Sequence, residues 1–339
     1  MTTSELELAR SAMREGDVSR ALALSEEATA SSEAQEDISL VWQFKLLRAK
    51  CLWIQGQSSE ALQWLEEGER APALSRELHG HIKMERAYFL GLLGRFGESK
   101  VLFDEAETFF EQTCSSAAVG ELQWRRGLVL HFFGDFKHSD TCFRQALAVG
   151  EKEKNGMITG LGSAGIGKNL MMNGRPREAV PWFERALAIF EKEGSRLHAA
   201  AMLSELGACH FGLGNLEESL ELLRKADQIE LEAGAHPGHQ ISLANIGNIY
   251  LRRGEYARAI SYYQRAIEIA KQSDDRISVY KWLKNLSVAY SAMGNTAVGA
   301  HFEKQAEAVS RVLEEERSRA SGIGWVVSAP TPKQSGEQL

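Results

Sequence analysis

The segment GSAGIGKN, residues 162–169, comes close to a phosphate-binding loop of the form GxxxxGK followed by Ser or Thr. In such a loop, backbone amides and the Lys contact phosphates while the hydroxyl binds Mg²⁺. Here the last position is Asn169, which lacks that hydroxyl, and the preceding EKEKNGMITGL does not have the composition of a strand. Gly167 also belongs to a regular series of small residues along the chain. We therefore interpret the segment as part of a helix and predict no nucleotide or other cofactor.

Two histidine pairs, HGH at 79–81 and HPGH at 236–239, are the other candidates for chemistry. Each pair could bind a metal ion, but neither has cysteines nearby or carboxylates at ligand spacing. We predict that these histidines lie in solvated loops and that the chain has no metal site. Because no GxSxG, HExxH or comparable signature occurs, we also predict that the protein is not an enzyme.

Glycines recur along the chain at a spacing that is mostly 40 residues. They are Gly16, Gly56, Gly94, Gly134, Gly174, Gly214, Gly254 and Gly294. Seven residues before each glycine, and five and twelve residues after it, every position is Ala, Gly or Ser. Helices approach closely only where side chains are small, and glycine readily adopts turn conformations. The pattern predicts antiparallel helix pairs that turn at the glycine and stack on their neighbours.

In the seventh repeat a longer pattern completes this spacing. It consists of Leu243, Ile246, Gly247, Tyr250, Gly254, Tyr256, Ala259, Tyr263 and Ala266. This order resembles the tetratricopeptide repeat (TPR) family. The family unit of about 34 residues usually closes with a proline. The unit here is longer and lacks that proline, and so is similar to the extended repeats of kinesin light chains and of Leu-Gly-Asn repeat scaffolds. The resemblance implies an all-α fold, a right-handed α-solenoid of about eight helix-turn-helix units with a C-terminal capping helix.

The predicted superhelix covers residues 1–320, and a flexible C-terminal tail follows at 321–339. The approximate units are 2–31, 41–71, 80–113, 120–153, 160–193, 200–233, 240–273 and 280–320. At the start, Ser4 and Glu7 have the spacing of a capping box. The tail contains two prolines and has no helical period.

In proteins of the TPR family, ligands are contacted by first-helix side chains that face the concave groove. Carried over position by position, the resemblance implies that Glu121 and Arg125 face the groove, together with ten candidate partner-binding residues. These ten are Trp124, His131, Lys168, Met171, Asn245, Asn248, Arg252, Lys281, Lys284 and Asn285. Asparagine amides can bind a peptide backbone, and lysines can bind carboxylates, so a possible partner is an acidic segment. Alternatively, Asn245 and Asn248 form hydrogen bonds with neighbouring helices.

Three arginines, Arg48, Arg86 and Arg126, replace apolar residues near the core in the second to fourth units. Charged groups in such positions need acidic or carbonyl partners. Structural ion pairs are one interpretation, and a column that faces a ligand is the other.

The net charge of −7 argues against broad binding to nucleic acid. Because the N-terminus does not resemble a signal peptide and no long apolar run occurs, we predict no membrane association and a cytoplasmic location.

The function we predict is a non-enzymatic scaffold or adaptor that binds a peptide or helical segment of a protein partner, with no oligomeric state assigned. The alternative is a ligand-responsive sensor that controls an effector supplied in trans.

Overall fold

The computed structural model of the chain describes residues 2–30, 37–71 and 74–321, so that the predicted tail from residue 322 onward lies outside them. The described residues form sixteen helices: α1 Thr3–Arg14, α2 Val18–Ala30, α3 Ile38–Ile54, α4 Ser58–Glu69, α5 Arg76–Leu92, α6 Phe96–Thr113, α7 Ser116–Phe133, α8 Phe136–Lys152, α9 Gly156–Met172, α10 Pro176–Lys192, α11 Arg196–Leu213, α12 Leu216–Glu232, α13 His236–Arg252, α14 Tyr256–Gln272, α15 Arg276–Ala292 and α16 Thr296–Ser321. Each odd-numbered helix packs against the even-numbered helix that follows it. The predicted all-α solenoid is confirmed, with the 26-residue α16 at its C-terminal end.

All eight of the repeating glycines have a positive φ, which for Gly254 is +74°. Five of the loops between hairpins, within the described part of the chain, also contain a residue in this left-handed region, for example Gly194, Gly234 and Asp274. The 40-residue unit therefore consists of two steps of similar length, each a helix followed by a left-handed turn. The predicted role of the glycines is confirmed, because this backbone conformation costs glycine nothing and strains other residues.

Aromatic side chains fill the spaces that the small residues leave between paired helices. A Cβ atom added to Gly167 would lie 2.7 Å from the Phe183 ring, and one added to Gly247 would lie 2.8 Å from the Tyr263 ring. Phe183 and Tyr263 are both fully buried. Ring contact with bare backbone explains why a large aromatic residue faces a very small one in these two units.

In three of these hairpins, a serine on the second helix donates a hydrogen bond to the backbone of the first helix. The hydroxyl of Ser99 donates to the carbonyl oxygen of Ala87 over 2.7 Å. In the same way, Ser139 donates to the carbonyl of residue 127 over 2.8 Å, and Ser219 donates to that of residue 207 over 2.7 Å. All three serines are buried. The small-residue series thus contains hydrogen bonds as well as close packing, since a buried hydroxyl needs a partner.

The helix starts differ from the predicted ones. The first capping box is formed by Thr2 and Glu5, not by Ser4 and Glu7, and the Thr2 hydroxyl accepts from the Glu5 amide over 3.3 Å. Further along, α9 begins at Gly156, not near residue 160, because the side chain of Asn155 accepts from the Ile158 amide over 3.1 Å. In both places an N-cap side chain decides where the helix begins.

The early hairpins pack against later ones and close the solenoid on itself. Leu6 and Ala9 of α1 share a buried cluster with Ala233 and Ala235, which lie between α12 and α13. At the tip of the second hairpin, the Ser58 hydroxyl donates to the carbonyl of residue 273 over 2.9 Å. We call this contact of the first two hairpins with residues 196, 233–236 and 273 the seam. Because α16 also contacts α6, the array encloses a hollow.

Candidate binding site

A cavity of about 490 Å³ lies in this hollow. Residues of α1, α3, α5 and α7 line one side, and residues of α9, α11 and the α12–α13 connection line the other. Four aromatic side chains form much of its wall: Trp53, Tyr88, Phe89 and Trp124. The volume falls within the range of about 300–1,000 Å³ that is usual for ligand pockets. We call this space the central cavity.

A buried ion-pair network forms part of the cavity wall. Glu85 is 1% exposed and accepts from the Lys50 ammonium and from the Arg125 guanidinium, over 2.6 Å in both cases. Arg125 also donates to Glu121 over 2.8 Å. Burial alone raises the pKa of Glu121, but Arg125 and Lys50 outweigh burial and bring that pKa down to about 2. Each buried charge in this network therefore has an opposite charge next to it, as burial requires.

Glu230 is the exception in the cavity wall. Its side chain is 3% exposed, and one carboxyl oxygen accepts from the Ser242 hydroxyl over 2.7 Å. Among the described residues, no Lys, Arg or His forms an ion pair with it. Burial raises the pKa of Glu230 to about 8 despite the Ser242 hydrogen bond. At neutral pH the group is therefore mostly protonated.

The histidines lie in helices, so the prediction of solvated loop histidines is wrong. His79 and His81 lie in α5, and His236 and His239 lie in α13, because both helices begin earlier than expected. His239 is 7% exposed, and its Nδ1 lies 2.7 Å from Asp227. Among the residues that the structure describes, His, Cys, Asp and Glu form no group of three that could bind a metal ion.

The segment that resembles a phosphate-binding loop lies within α9. A Cβ atom on Gly165 would lie 2.2 Å from the Phe143 ring, and one on Gly162 would lie 2.6 Å from the backbone of Leu147. The glycines therefore permit helix packing, and their amides belong to the helix. The prediction that this segment is helical is confirmed.

Two side-chain pairs that include predicted partner-binding residues link adjacent first helices. Lys168 forms an ion pair with Glu205, and the Asn285 amide donates to the Asn248 side-chain oxygen over 3.0 Å. Asn248 also accepts from the Tyr263 hydroxyl over 2.7 Å. Asn248 thus forms hydrogen bonds with two neighbouring helices, α14 and α15.

The central cavity repeats this linkage at equivalent positions. Lys50 stands six residues before its turn glycine, as Lys168 does, and Glu85 stands nine before, as Glu205 does. The same register brings the Arg125 guanidinium over the Tyr88 ring, 4.9 Å from the ring centre. The same two repeat positions thus join neighbouring first helices along the array. The contact is an ion pair for Lys50 and Lys168 and an arginine–aromatic contact for Arg125 and Tyr88.

Other predicted residues have partners within the array. His131 Nδ1 lies 2.7 Å from Asn169 Oδ1, and burial lowers the pKa of His131 to about 4. The Met171 sulfur lies 3.1 Å from the thiol of Cys209. Both His131 and Met171 therefore help to pack the inner surface, and His131 is neutral at physiological pH.

Three predicted residues lie near the C-terminal end of the inner surface. Arg252 donates to the Phe211 carbonyl oxygen over 2.7 Å, and Lys284 forms an ion pair with Glu303. Asn245 is partly buried on α13. These positions are compatible with contact to a partner, although Arg252 and Lys284 already have acceptors.

Lys281 and Trp124 each contact an aromatic ring of another unit, which is a distant unit for Lys281 and the adjacent unit for Trp124. The Lys281 ammonium lies 5.8 Å from the centre of the Phe132 ring on α7. Trp124, also on α7, packs against Tyr88 with ring centres 6.0 Å apart. Of the ten predicted residues, Trp124 alone lines the central cavity within the described part of the chain.

The arginine column forms structural ion pairs, as one of the two interpretations predicted. The pairs are Arg48 with Glu26 and Glu60, Arg86 with Glu69, and Arg126 with Asp104 and Glu107. Each acidic partner lies on a second helix. The column therefore holds hairpins together.

Sequence reasoning missed most of the cavity. The Lys50–Glu85 pair could have been found by comparing equivalent repeat positions, as could the contact between Tyr88 and Arg125. Glu230 had no such signal, because it lies on a second helix and reaches the cavity only where the solenoid closes.

Among the described helices, none combines the length and apolarity that crossing a membrane requires.

Known proteins resemble this chain in sequence. A family model described as "Tetratricopeptide repeat" matches residues 161–229 and 239–316, and a second model with the same description matches residues 6–76. The human protein "Tetratricopeptide repeat protein 19, mitochondrial" is 25% identical over 135 residues, 39% of this chain and 35% of that protein. "Lipopolysaccharide assembly protein B" of Escherichia coli K12 is 29% identical over 135 residues, 38% of this chain and 32% of that protein. The chain thus matches about a third of the length of each of these relatives.

A solved structure resembles the chain over nearly its whole length. It is that of a Rap protein complexed with Competence and Sporulation Factor, with a TM-score of 0.60 and 17% sequence identity. The match covers 92% of this chain and 98% of the Rap chain. At this level of identity, the likeness concerns the fold.

Proposed function

Because the chain belongs to the tetratricopeptide repeat family, we propose that it is a non-enzymatic scaffold or adaptor that binds a peptide or helical segment of a partner protein in its hollow. The observation that carries this proposal is the central cavity of about 490 Å³, with aromatic side chains in its wall. Aromatic residues supply large contact areas at low conformational cost, which suits peptide recognition.

Of the ten residues named from the repeat positions, Trp124 lines the cavity and the other nine form the proposed contact surface outside it. Lys281 is exposed, and Lys284 is partly exposed beside Glu303. Two ammonium groups at one end of the inner surface favour an acidic segment of the partner there. The Rap protein of similar fold was solved with a bound factor, so an array of this shape can hold a partner.

Capture of binding proteins by the purified full-length chain tests the proposal. The double variant Lys281→Glu with Lys284→Glu should lose an acidic partner, because both attractive charges become repulsive. The matched control is Lys225→Glu with Lys271→Glu, two exposed lysines on the second helices α12 and α14. Thermal unfolding of both variants checks the fold. Equal capture by wild type and the Lys281 and Lys284 variant would show that the proposed surface is wrong.

The seam favours a second candidate, a ligand-responsive sensor that controls an effector in trans. The cavity has Met13 of α1 on one side of the seam and Ala235 and Pro237 on the other. A ligand that contacts both sides stabilises the closed form relative to an open form. Small-angle scattering with and without saturating partner tests this candidate, which predicts a smaller radius of gyration when the partner is bound. An unchanged profile would leave the adaptor as the better description.

A further inference from the structure

Among the described residues that line the central cavity, one buried acid forms no ion pair with a cation. Lys50 and Arg125 are paired with Glu85, and Arg125 also with Glu121, so these cations are already neutralised. Glu230 lines the same cavity, and within the described residues its hydrogen-bond partner is the Ser242 hydroxyl. A buried carboxyl without a cation destabilises a fold, and such groups concentrate at functional sites.

We propose that Glu230 binds a basic group of the ligand, the ammonium or guanidinium of a lysine or arginine side chain in a short peptide segment. The proposal rests on peptide binding in the hollow and assigns the chemical class that this part of the cavity selects. A ligand cation would give Glu230 the charged partner that the described part of the chain does not supply. The aromatic wall formed by Trp53, Tyr88 and Trp124 would contact the rest of the segment.

The surroundings of Glu230 are compatible with an incoming cation. On its own helix, Asp227 is paired with His239 of α13 and adds negative potential near the carboxyl. His198 of α11 lies in the cavity wall, and burial lowers its pKa to about 4, so it carries no charge at pH 7. On α1, Arg10 is paired with Glu7, and Arg14 is exposed at the cavity edge.

A basic ligand and a merely polar one differ in how their binding is coupled to the protonation of Glu230. Near neutral pH the empty site holds a protonated carboxyl, since burial raises the pKa of Glu230 to about 8. An arriving cation stabilises the ionised form, and the proton leaves to solvent. Binding is then linked to the release of up to one proton at pH 7, whereas binding of a neutral ligand releases none.

Affinity selection on the full-length chain tests the proposal. The probe is a mixture of acetylated tripeptide amides with two varied positions, followed by arginine in one half and by the neutral isostere citrulline in the other. Peptides that stay with the protein through gel filtration are identified by mass spectrometry. We expect at least about tenfold enrichment of arginine over citrulline peptides with the wild type, in keeping with a charge-assisted pair.

The variants separate recognition from folding. Glu230→Gln keeps the size of the side chain and should lose the preference for arginine. Glu232→Gln, two positions away on α12 and exposed, should keep it. Circular dichroism melts confirm that both fold. Calorimetry of the best arginine peptide in phosphate and in Tris should give different heats with the wild type, because the released proton is taken up by the buffer.

Three results of these experiments would overturn the proposed cation site at Glu230. Retention of arginine and citrulline peptides alike would overturn the cation site while leaving peptide binding intact. Unchanged discrimination in Glu230→Gln, or heats that do not depend on the buffer, would also overturn it. Retention of neither peptide overturns the assignment of this ligand class. The capture of a partner protein through Lys281 and Lys284 is measured separately and could still succeed.

Discussion

Arg125 donates from Nη2 to the Oε1 atom of Glu85 over 2.6 Å, and these residues occupy the same position in adjacent repeats, 40 residues apart. Glu85 is 1% exposed, and the Arg125 side chain is 10% exposed. A repeat that places opposite charges at equivalent positions thereby joins two first helices through the interior. The pair also forms part of the cavity wall, so it links the stability of the array to its binding site.

Replacing Arg125 should destabilise the protein strongly. Arg125→Met leaves Glu85 with Lys50 alone and removes the hydrogen-bond partner of Glu121. Breaking a buried ion pair typically costs about 3–5 kcal/mol, because a buried charge loses its partner. Urea unfolding measures the change in the free energy of unfolding. Arg144→Met is the control, since Arg144 is exposed and pairs with Asp140 one turn away, where the expected loss is at most about 0.5 kcal/mol. Equal losses in both variants would contradict this account.

Glycine-to-alanine substitutions should have opposite effects at two helical positions. A Cβ on Gly167 would lie 2.7 Å from the buried Phe183 ring, whereas a Cβ on Gly212 would have only Pro176 atoms at 3.7 Å. Gly167→Ala should therefore destabilise by about 1–3 kcal/mol through overpacking. Gly212→Ala should stabilise by up to about 1 kcal/mol, because alanine has the higher helix propensity. Thermal unfolding of both variants gives the signs, and a stabilising Gly167→Ala would disprove the proposed packing role.

Much of the fold was predictable because a repeat presents the same physical constraint many times. The turn glycines, the small positions and the large aromatic residues each recur, so that helix pairing could be inferred from spacing alone. The helix starts were less predictable, since Thr2 and Asn155 compete with other capping residues nearby. The histidines at 79–81 and 236–239 were misplaced because α5 and α13 begin earlier than the repeat spacing indicated.

The candidate site was less predictable than the fold, because it depends on how distant units meet. Carrying over the ligand positions of the family identified Trp124 and Arg125, which do line the cavity. It could not identify Glu230, whose place in the wall follows from the closure of α1 against the α12–α13 connection. Closure depends on the accumulated rotation of many units, and no local pattern in the sequence encodes that sum.

Opening of the seam should be detectable in solution. A Cβ on Gly56 would lie 2.5 Å from the Ser273 hydroxyl and 2.9 Å from His236 Nδ1, across the seam. Gly56→Leu should therefore separate the hairpins and increase the radius of gyration in small-angle scattering. Gly254→Leu is the control, because Gly254 has a similar φ of +74°, but its Cβ would meet only the Tyr256 hydroxyl at 4.0 Å. Both variants strain a turn by about 1–2 kcal/mol, and only the first should change the shape. Superimposable scattering curves would argue against a seam that holds the array closed.

Glu230 should make stability fall as the pH rises. Burial raises its pKa to about 8 in the folded chain, whereas glutamate in an unfolded chain has a pKa of about 4.3. Between these values the folded state holds a proton that the unfolded state has lost. The stabilisation from this proton is therefore complete below about pH 4.3 and is lost as the pH rises through about 8.

The substitution Glu230→Gln isolates this contribution, because the glutamine amide keeps a hydrogen-bond acceptor for Ser242 and cannot ionise. Urea unfolding from pH 5 to pH 9 measures the free energy of unfolding of both proteins. The value for Glu230→Gln, relative to that of the wild type, should increase by up to about 1.4 kcal/mol per pH unit below pH 8 and should stay constant above it. Glu221→Gln serves as the control, since the hydrogen bond from Lys225 lowers the pKa of the exposed Glu221 and keeps its titration below this range. Its stability should run parallel to that of the wild type. If the Glu230→Gln and wild-type curves also run parallel, Glu230 is ionised throughout, and the carboxyl that the cavity offers to a cation is not held in its protonated form.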